Sequence, residues 1–471
     1  MYPSISPSVE TFVQRAYGAL LLATLLSALP HARRYFVSER WGGYGQRAFI
    51  VDAVQNPIGL AVVLALWLAS AVALLFDIAV VPAAAANLAL CWYFFVRMRW
   101  HGVLRGMGAP GFITFWLGAA VFLLTTTRRV APGIHDLTLW ALQIDFAFIM
   151  ISAGLYKLVA GYRSGDGMDL GMVNPEWGYW ASHWSRWPPS HPLFRFLNEM
   201  AWLTEVIAGA LMLLPPTRLV GGFLILGSFV FIATQIRLGF LCEMVIVCCL
   251  LFVPAGASGV VETSGAVPSW QPLLAAGIWT YVALLPIVRA GMYYNQLRHR
   301  SLPGIVQRAL DGYANVFGLI IWRVFSADVV NFFVRVYQQA GDRDSRTLIS
   351  DYVGFTGIRR FRQVAECIVI TTVFTTLKYF PSNRALFVDR LLRYARTVPH
   401  QPGSTLVFEW VAVQKRDDCY AFVPATEYFV NTVAGTVTDV VVSDRVSVNA
   451  PSSASPLHEG SRPGSYAPLR P

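Results

Sequence analysis

Stretches of roughly 20 residues with almost no charge recur along the first 295 residues, and they decide most of what this chain can fold into. A helix needs about 20 apolar residues to cross the hydrocarbon core of a bilayer. Inside that core only a helix or a closed barrel satisfies its own backbone. On this criterion spans are expected near 13–31, 56–77, 79–97, 109–127, 137–160, 195–214, 218–239, 240–256 and 271–293. The stretches 79–97 and 240–256 are short or interrupted, so each could be re-entrant or merge with its neighbour. Composition agrees: 55% of residues are hydrophobic and 14% charged, against about 45–50% and about 25% in soluble domains. The expected fold is an all-α polytopic membrane helix bundle of about nine transmembrane helices, followed by a small C-terminal α/β domain and a disordered tail.

The formal net charge of +10 would suggest nucleic acid in a soluble protein. Here the arginines cluster in short loops, as orientation signals do, and no nucleic-acid partner is expected. Loops after spans one, three and five carry Arg33, Arg34, Arg40 and Arg47, then Arg97, Arg99 and Arg105, then Arg163, Arg186 and Arg195. Arg128, Arg129 and Arg218 lie in the opposite loops, beyond the N-terminal Arg15. The positive-inside rule therefore predicts a cytoplasmic C-terminal region. Heavy use of Arg and Ala in place of Lys points to a GC-rich bacterial genome, hence to a bacterial cytoplasmic membrane. The opening "MYPSISPSVETFVQRAYG" has neither the basic start nor the cleavage site of a signal peptide, so the first span is expected to be retained.

The chain divides into a membrane domain over 1–295, an amphipathic or interfacial segment over 296–341, the small α/β domain over 342–448 and a Pro/Ser/Gly-rich tail over 449–471. The six cysteines show no C-x-x-C or Cys/His metal spacing, so neither a metal site nor a disulfide framework is expected.

Ionisable residues inside the spans carry the functional signal, because each is expensive in lipid. Only Lys157, Lys378 and Lys415 are lysines, and Lys157 closes the apolar run "DFAFIMISAGLYKLVAG". A lysine at a span end can simply snorkel to the headgroups. Arginine snorkels equally well, whereas only lysine can shed its proton on burial, which makes Lys157 a candidate base. Gln143 lies within about 40° of it on one helix face, with Asp145, Ser152 and Tyr156 alongside. Asn198, Trp202 and Glu205 on span six, and Thr234, Gln235 and Arg237 on span seven, extend the polar set. Some are expected to be packing ion pairs, such as Glu205 or Glu243 with Arg237. The loop "GYRSGDGMDLGMVNPEWGYWASHWSRWPPSHP" holds Trp177, Trp180, Trp184, Trp187 and His183. It reads as an interfacial aromatic belt, or as aromatic walls over a ring-shaped ligand, with Gly161, Gly165 and Gly167 allowing a tight turn.

"QIDFAFIMISAGLYKL" and the Gly- and Trp-rich loop after it resemble the HTTM (horizontally transferred transmembrane) domain, the membrane part of vitamin K-dependent γ-carboxylases. "RAYGALLLATLLSALPHARRYF" and "SFVFIATQIRLGFLCEMVIVCCLLF" resemble other helices of that family, and the likeness covers roughly residues 10 to 295, more weakly "WRVFS" at 322–326. The resemblance implies that Lys157 deprotonates a reduced quinone of the vitamin K or menaquinol type. With that role at Lys157, the polar stripe and the aromatic loop are read as the rest of the site: Gln143, Asp145, Glu205, Gln235 and Arg237 as surrounding polar groups, with Tyr156, Trp177, Trp180, His183, Asn198 and Trp202 also at the substrate. Tyr156 stands where the eukaryotic enzymes have a further lysine, and no long propeptide-capturing region follows. The alternative expectation is a non-catalytic membrane scaffold or transport accessory protein that recruits a protein partner through its C-terminal domain.

Overall fold

The computed structural model describes residues 2–45, 47–98, 108–255, 270–298, 302–322, 327–341, 345–350 and 364–441. The expected tail over 449–471, Arg99, Arg105 and most of "WRVFS" lie outside them. Among the described residues, eight helices are long and apolar enough to cross a membrane. They are α1 (Pro7–Phe36), α2 (Pro57–Leu75), α3 (Val80–Arg97), α4 (Pro110–Val130), α5 (Pro132–Val159), α6 (Pro192–Leu213), α7 (Arg218–Gln235) and, after a shorter helix, α9 (Gln271–Asn295). Of the two doubtful stretches, 79–97 is thus a full-length helix. The other shrinks to α8 (Leu241–Phe252). At about 1.5 Å per residue, its length is roughly 18 Å, short of the hydrocarbon thickness.

Although short, α8 is tied firmly to the rest of the bundle at its C-terminal end. Beyond its C-terminal end the Ala255 N–H donates to the Ser4 carbonyl at 2.9 Å, and the Leu251 carbonyl accepts from Gln143 Nε2 at 2.6 Å. Leu241, Met244, Val245, Cys248 and Leu251 are buried, so α8 packs within protein.

The centre of the bundle is α5, with 83% of its apolar window buried against 17% for α9. Its closest neighbour is α6, and glycine sets the approach. A Cβ on Gly154 would lie 2.6 Å from the Trp202 carbonyl oxygen, and one on Gly209 would lie 2.8 Å from that of Ala147. At the other side of the bundle a polar knot fastens α1 to α4. Tyr17 OH donates to the Thr114 carbonyl (3.1 Å) and accepts from Asn87 Nδ2 (2.7 Å), while Trp67 Nε1 donates to Asn87 Oδ1 (3.0 Å).

After the amphipathic α10 (Gly304–Phe317), the chain forms a five-stranded sheet: β1 (Phe332–Gln339), β2 (Arg346–Ser350), β3 (Thr405–Lys415), β4 (Tyr420–Asn431) and β5 (Thr436–Val441). Its order is β2-β1-β3-β4-β5, antiparallel throughout. Two helices, α11 (Val364–Phe374) and α12 (Arg384–Ala395), pack on one face, through Phe374 and Tyr394 against Phe408 and through Phe387 against Tyr428. This corrects the sequence reading twice. An all-antiparallel sheet with segregated helices is an α+β arrangement, not α/β. The sheet also takes in Phe332–Gln339, which had been assigned to the interfacial segment, because β1 is its second strand and pairs with β3 from Phe332↔Ala412 to Gln339↔Thr405.

The sheet unit and the loops after α1 and α5 share one end of the bundle. Arg34 forms a two-point ion pair with Glu366 (3.0 and 2.9 Å), and the Glu366 carboxylate also accepts from Tyr35 OH and Tyr394 OH. We predict that Gly209→Val, which forces a side chain into the α5 backbone, costs about 1–3 kcal/mol. Thermal unfolding of the purified protein in detergent should show that loss, and an unchanged melting temperature would refute the close-contact assignment.

Candidate functional site

Lys157 lies in the last turn of α5 and Glu205 midway along α6, one helical turn before Gly209. Because the glycines let these backbones meet, Lys157 Nζ reaches Glu205 Oε1 at 2.5 Å, with side chains 3% and 1% exposed. Glu205 Oε2 has no hydrogen-bond partner among the described residues. The helix stops at Gly161, whose φ of 105° is a left-handed conformation that a side chain resists. That turn brings the buried Tyr162 back so that its ring centroid lies 5.9 Å from Lys157 Nζ. Gly165 repeats the left-handed turn, and a Cβ on Gly167 would collide with the Tyr162 ring at 2.5 Å.

The same loop is clamped from two sides. Asp169 Oδ1 accepts from the Gly167 N–H (3.0 Å) and Asn198 Nδ2 (3.0 Å), and Asn198 Nδ2 also donates to the Gly165 carbonyl (2.9 Å). Asp169 Oδ2 accepts from Tyr420 OH at 2.6 Å and lies 2.8 Å from Lys415 Nζ, which also pairs with Asp166 at 2.9 Å. Burial alone would lower the Lys415 pKa, but Asp169 and Asp166 outweigh it and hold it above its ordinary value. Two of the three lysines therefore flank this loop, and neither Lys415 nor Tyr420 was singled out in the sequence.

The other expected site residues are spread over separate places. Asp145, about 18 Å up the helix by its rise, belongs to a second centre: it pairs with Arg289 (2.9 Å) and accepts from Trp116 Nε1 (2.8 Å) and Tyr281 OH (3.0 Å). Arg289 also donates to Ser152 Oγ (3.3 Å), and Tyr293 OH donates to the Ser152 carbonyl. Arg289 was legible as a charge inside an apolar span, and the reading passed over it. Gln143 ties α5 to α8, and Tyr156 is buried beside Lys157 in sequence.

Arg237 does not pair with Glu205 or Glu243 as expected. It is fully buried, donates from Nη2 to the Pro175 carbonyl (3.3 Å) and from its backbone N–H to the Trp177 carbonyl (2.8 Å), and interacts electrostatically with Glu176. Both Glu176 carboxylate oxygens and the Arg237 Nε and Nη1 lack hydrogen-bond partners among the described residues. Burial pushes the Glu176 carboxyl up to about 8, with Arg237 pulling it down only in part.

The aromatic loop packs mainly on itself. Trp184 meets His183 (4.9 Å between centroids) and Trp187 (5.1 Å), and Trp184 Nε1 donates to Gln235 Oε1. Trp180 is exposed and donates to the Thr234 carbonyl, Trp202 donates to Glu199, and Trp177 is buried near Arg237. Of the expected set, the geometry brings together Lys157 and Glu205, with Asn198 holding the adjoining loop. Among the described residues, no group of three or more His, Cys, Asp or Glu side chains is placed to hold a metal ion.

No protein-family model, curated protein or solved structure matches this chain.

Two outcomes follow from these contacts. Lys157→Met strands a buried carboxylate and should cost about 3–5 kcal/mol, whereas Lys157→Met with Glu205→Met should recover most of that loss. Thermal melts of the three proteins give this comparison, and a double variant no better than the single would refute the pairing. Between about pH 4.5 and 8 the folded chain keeps the Glu176 proton that the unfolded chain has released. Stability should therefore fall as pH rises through that window. In Glu176→Gln the pH dependence should flatten, and an unchanged profile would refute the assignment.

Proposed function

We propose that this is an integral membrane protein, set in a bacterial cytoplasmic membrane with its C-terminal sheet in the cytoplasm, whose Lys157 and Glu205 form an acid–base centre for a lipid-soluble reduced quinone. The observation that carries this reading is the buried 2.5 Å contact with its second carboxylate oxygen unpartnered. Two charges removed from water are expensive to keep, and a well-packed apolar pair is often as stable. An orphaned, buried carboxylate oxygen fits a hydroxyl donor, and a reduced quinone would supply a ring hydroxyl as that proton source.

The pairing refines the role of Lys157. An ammonium held against a carboxylate is no base until it loses its proton. Transfer from Nζ to Glu205 Oε1 would leave a neutral amine and a neutral acid. The amine then takes the hydroxyl proton: one O–H bond breaks, one N–H bond forms, and Glu205 holds the first proton. Lys157 is the base and Glu205 its proton store. The resemblance of "AGLYKL" to the HTTM family adds support for this assignment. Cytoplasmic placement of the sheet unit is supported by the arginine-rich first loop, since Arg34 at the end of α1 pairs with Glu366 on α11 and Glu39 just after it pairs with Arg396 at the end of α12.

A non-catalytic scaffold or transport accessory remains the second reading, favoured by the exposed outer strand β5, where Val441 is 64% exposed. Such a strand can accept an added strand from a partner. The deciding experiment supplies reduced menaquinone or vitamin K and oxygen to the full chain in nanodiscs, wild type against Lys157→Arg and Glu205→Gln. We expect turnover in the wild type and at least a hundredfold loss in Lys157→Arg, which keeps the charge but cannot give up its proton. No quinol binding or turnover by folded wild-type protein would overturn the acid–base reading, as would equal activity in Lys157→Arg.

A further inference from the structure

Away from Lys157, where the loop after α1 meets the C-terminal helix α12, the surface holds a cavity of about 380 Å³ lined by Glu39, Arg40, Arg47, Arg393 and Arg396 together with a glycine turn. That volume lies within the roughly 300–1,000 Å³ usual for small-ligand sites. Four arginines face one glutamate. Glu39 meets Arg396 at 3.3 Å and Arg393 at 4.0 Å. Among the described residues, neither Arg40 nor Arg47 pairs with a carboxylate. Arg40 instead lies over the Trp41 ring, 5.0 Å from its centroid.

The position of the cavity narrows its ligand. Two residues after Arg47 comes Phe49, 89% exposed, and Ile58, 80% exposed, begins the apolar face of α2. Large apolar side chains left this open mark a surface that meets lipid or a partner, and α2 is among the most apolar of the membrane-length helices. The arginines thus sit where such a helix leaves the hydrocarbon, at the level of the headgroups. Guanidinium groups match phosphate oxygens in paired hydrogen bonds, and basic pockets at this level suit anionic headgroups.

We propose that this cavity binds the phosphate of an anionic membrane phospholipid. The bound headgroup would join two parts of the chain far apart in sequence, the first loop and α12, and so seat the sheet unit against the membrane. The inference rests on the membrane placement of the helices and is independent of the chemistry at Lys157.

The test uses the full chain in a neutral detergent, with tryptophan fluorescence and thermal shift as readouts. The probes are short-chain phosphatidylglycerol, phosphatidylcholine of the same chain length, and inorganic phosphate. We expect saturable binding of phosphatidylglycerol, at least tenfold tighter than phosphatidylcholine and unaffected by millimolar inorganic phosphate. Arg40→Gln with Arg47→Gln should weaken it at least tenfold. Glu39→Gln removes the one carboxylate of the lining and should tighten it, a gain that misfolding does not mimic. Equal binding of the two lipids, or no response to these substitutions, would overturn the proposal. Competition by inorganic phosphate at matching concentration would overturn the lipid assignment in favour of a soluble phosphate compound.

Discussion

The close approach of α5 and α6 is the contact on which the rest of the site depends. Without side chains at Gly154 and Gly209 the two backbones come within van der Waals reach, and only then does a lysine at the end of one helix reach a carboxylate in the middle of the other. The loop inherits its place from this contact. Gly161 turns the chain back, Tyr162 covers the ammonium, and Asp169 ties the returning segment to Asn198 on α6. The C-terminal sheet then adds Lys415 and Tyr420 to the same aspartate. A single close contact therefore organises residues from three widely separated parts of the sequence.

The polar load of the bundle is divided among knots of different kinds. Tyr17, Asn87 and Trp67 satisfy one another and behave as fasteners. Asp145 has three donors, Trp116, Tyr281 and Arg289, which leaves it little capacity for a ligand. At Glu205 and Glu176 the carboxylates themselves keep buried oxygens without partners among the described residues, whereas in the Asp145 centre the atom left over is Arg289 Nε. Leaving such atoms unmet costs about 1–3 kcal/mol each, more for charged groups. That contrast is why chemistry is assigned to Lys157 and Glu205 and not to the better-connected Asp145.

How much of this was legible in the sequence follows from which forces are local. Apolar runs of membrane length depend only on composition, and eight of them are helices of that length. Lys157 was singled out by its identity in an arginine-rich chain. Glu205 was expected either beside Lys157 or paired with Arg237, and the structure gives the first. The choice is made by glycine contacts between helices, which spacing along one helix does not encode. The antiparallel sheet was hidden for a related reason: β1 reads as mixed polar and apolar, and becomes a strand through its pairing with β3, some seventy residues later. Lys415 and Asp169 are likewise meaningful only once the sheet is docked.

The short helix α8 differs in kind from the eight longer ones. Its 12 residues from Leu241 to Phe252 are apolar but fewer than the roughly 20 that a helix needs to cross a bilayer alone, and the backbone on either side is hydrogen-bonded within the protein, the Arg237 N–H to the Trp177 carbonyl and the Ala255 N–H to that of Ser4. It holds its place through the neighbouring helices that bury Leu241, Met244, Cys248 and Leu251. Unlike the eight longer helices, α8 is therefore a piece of the interior and not a stand-alone element.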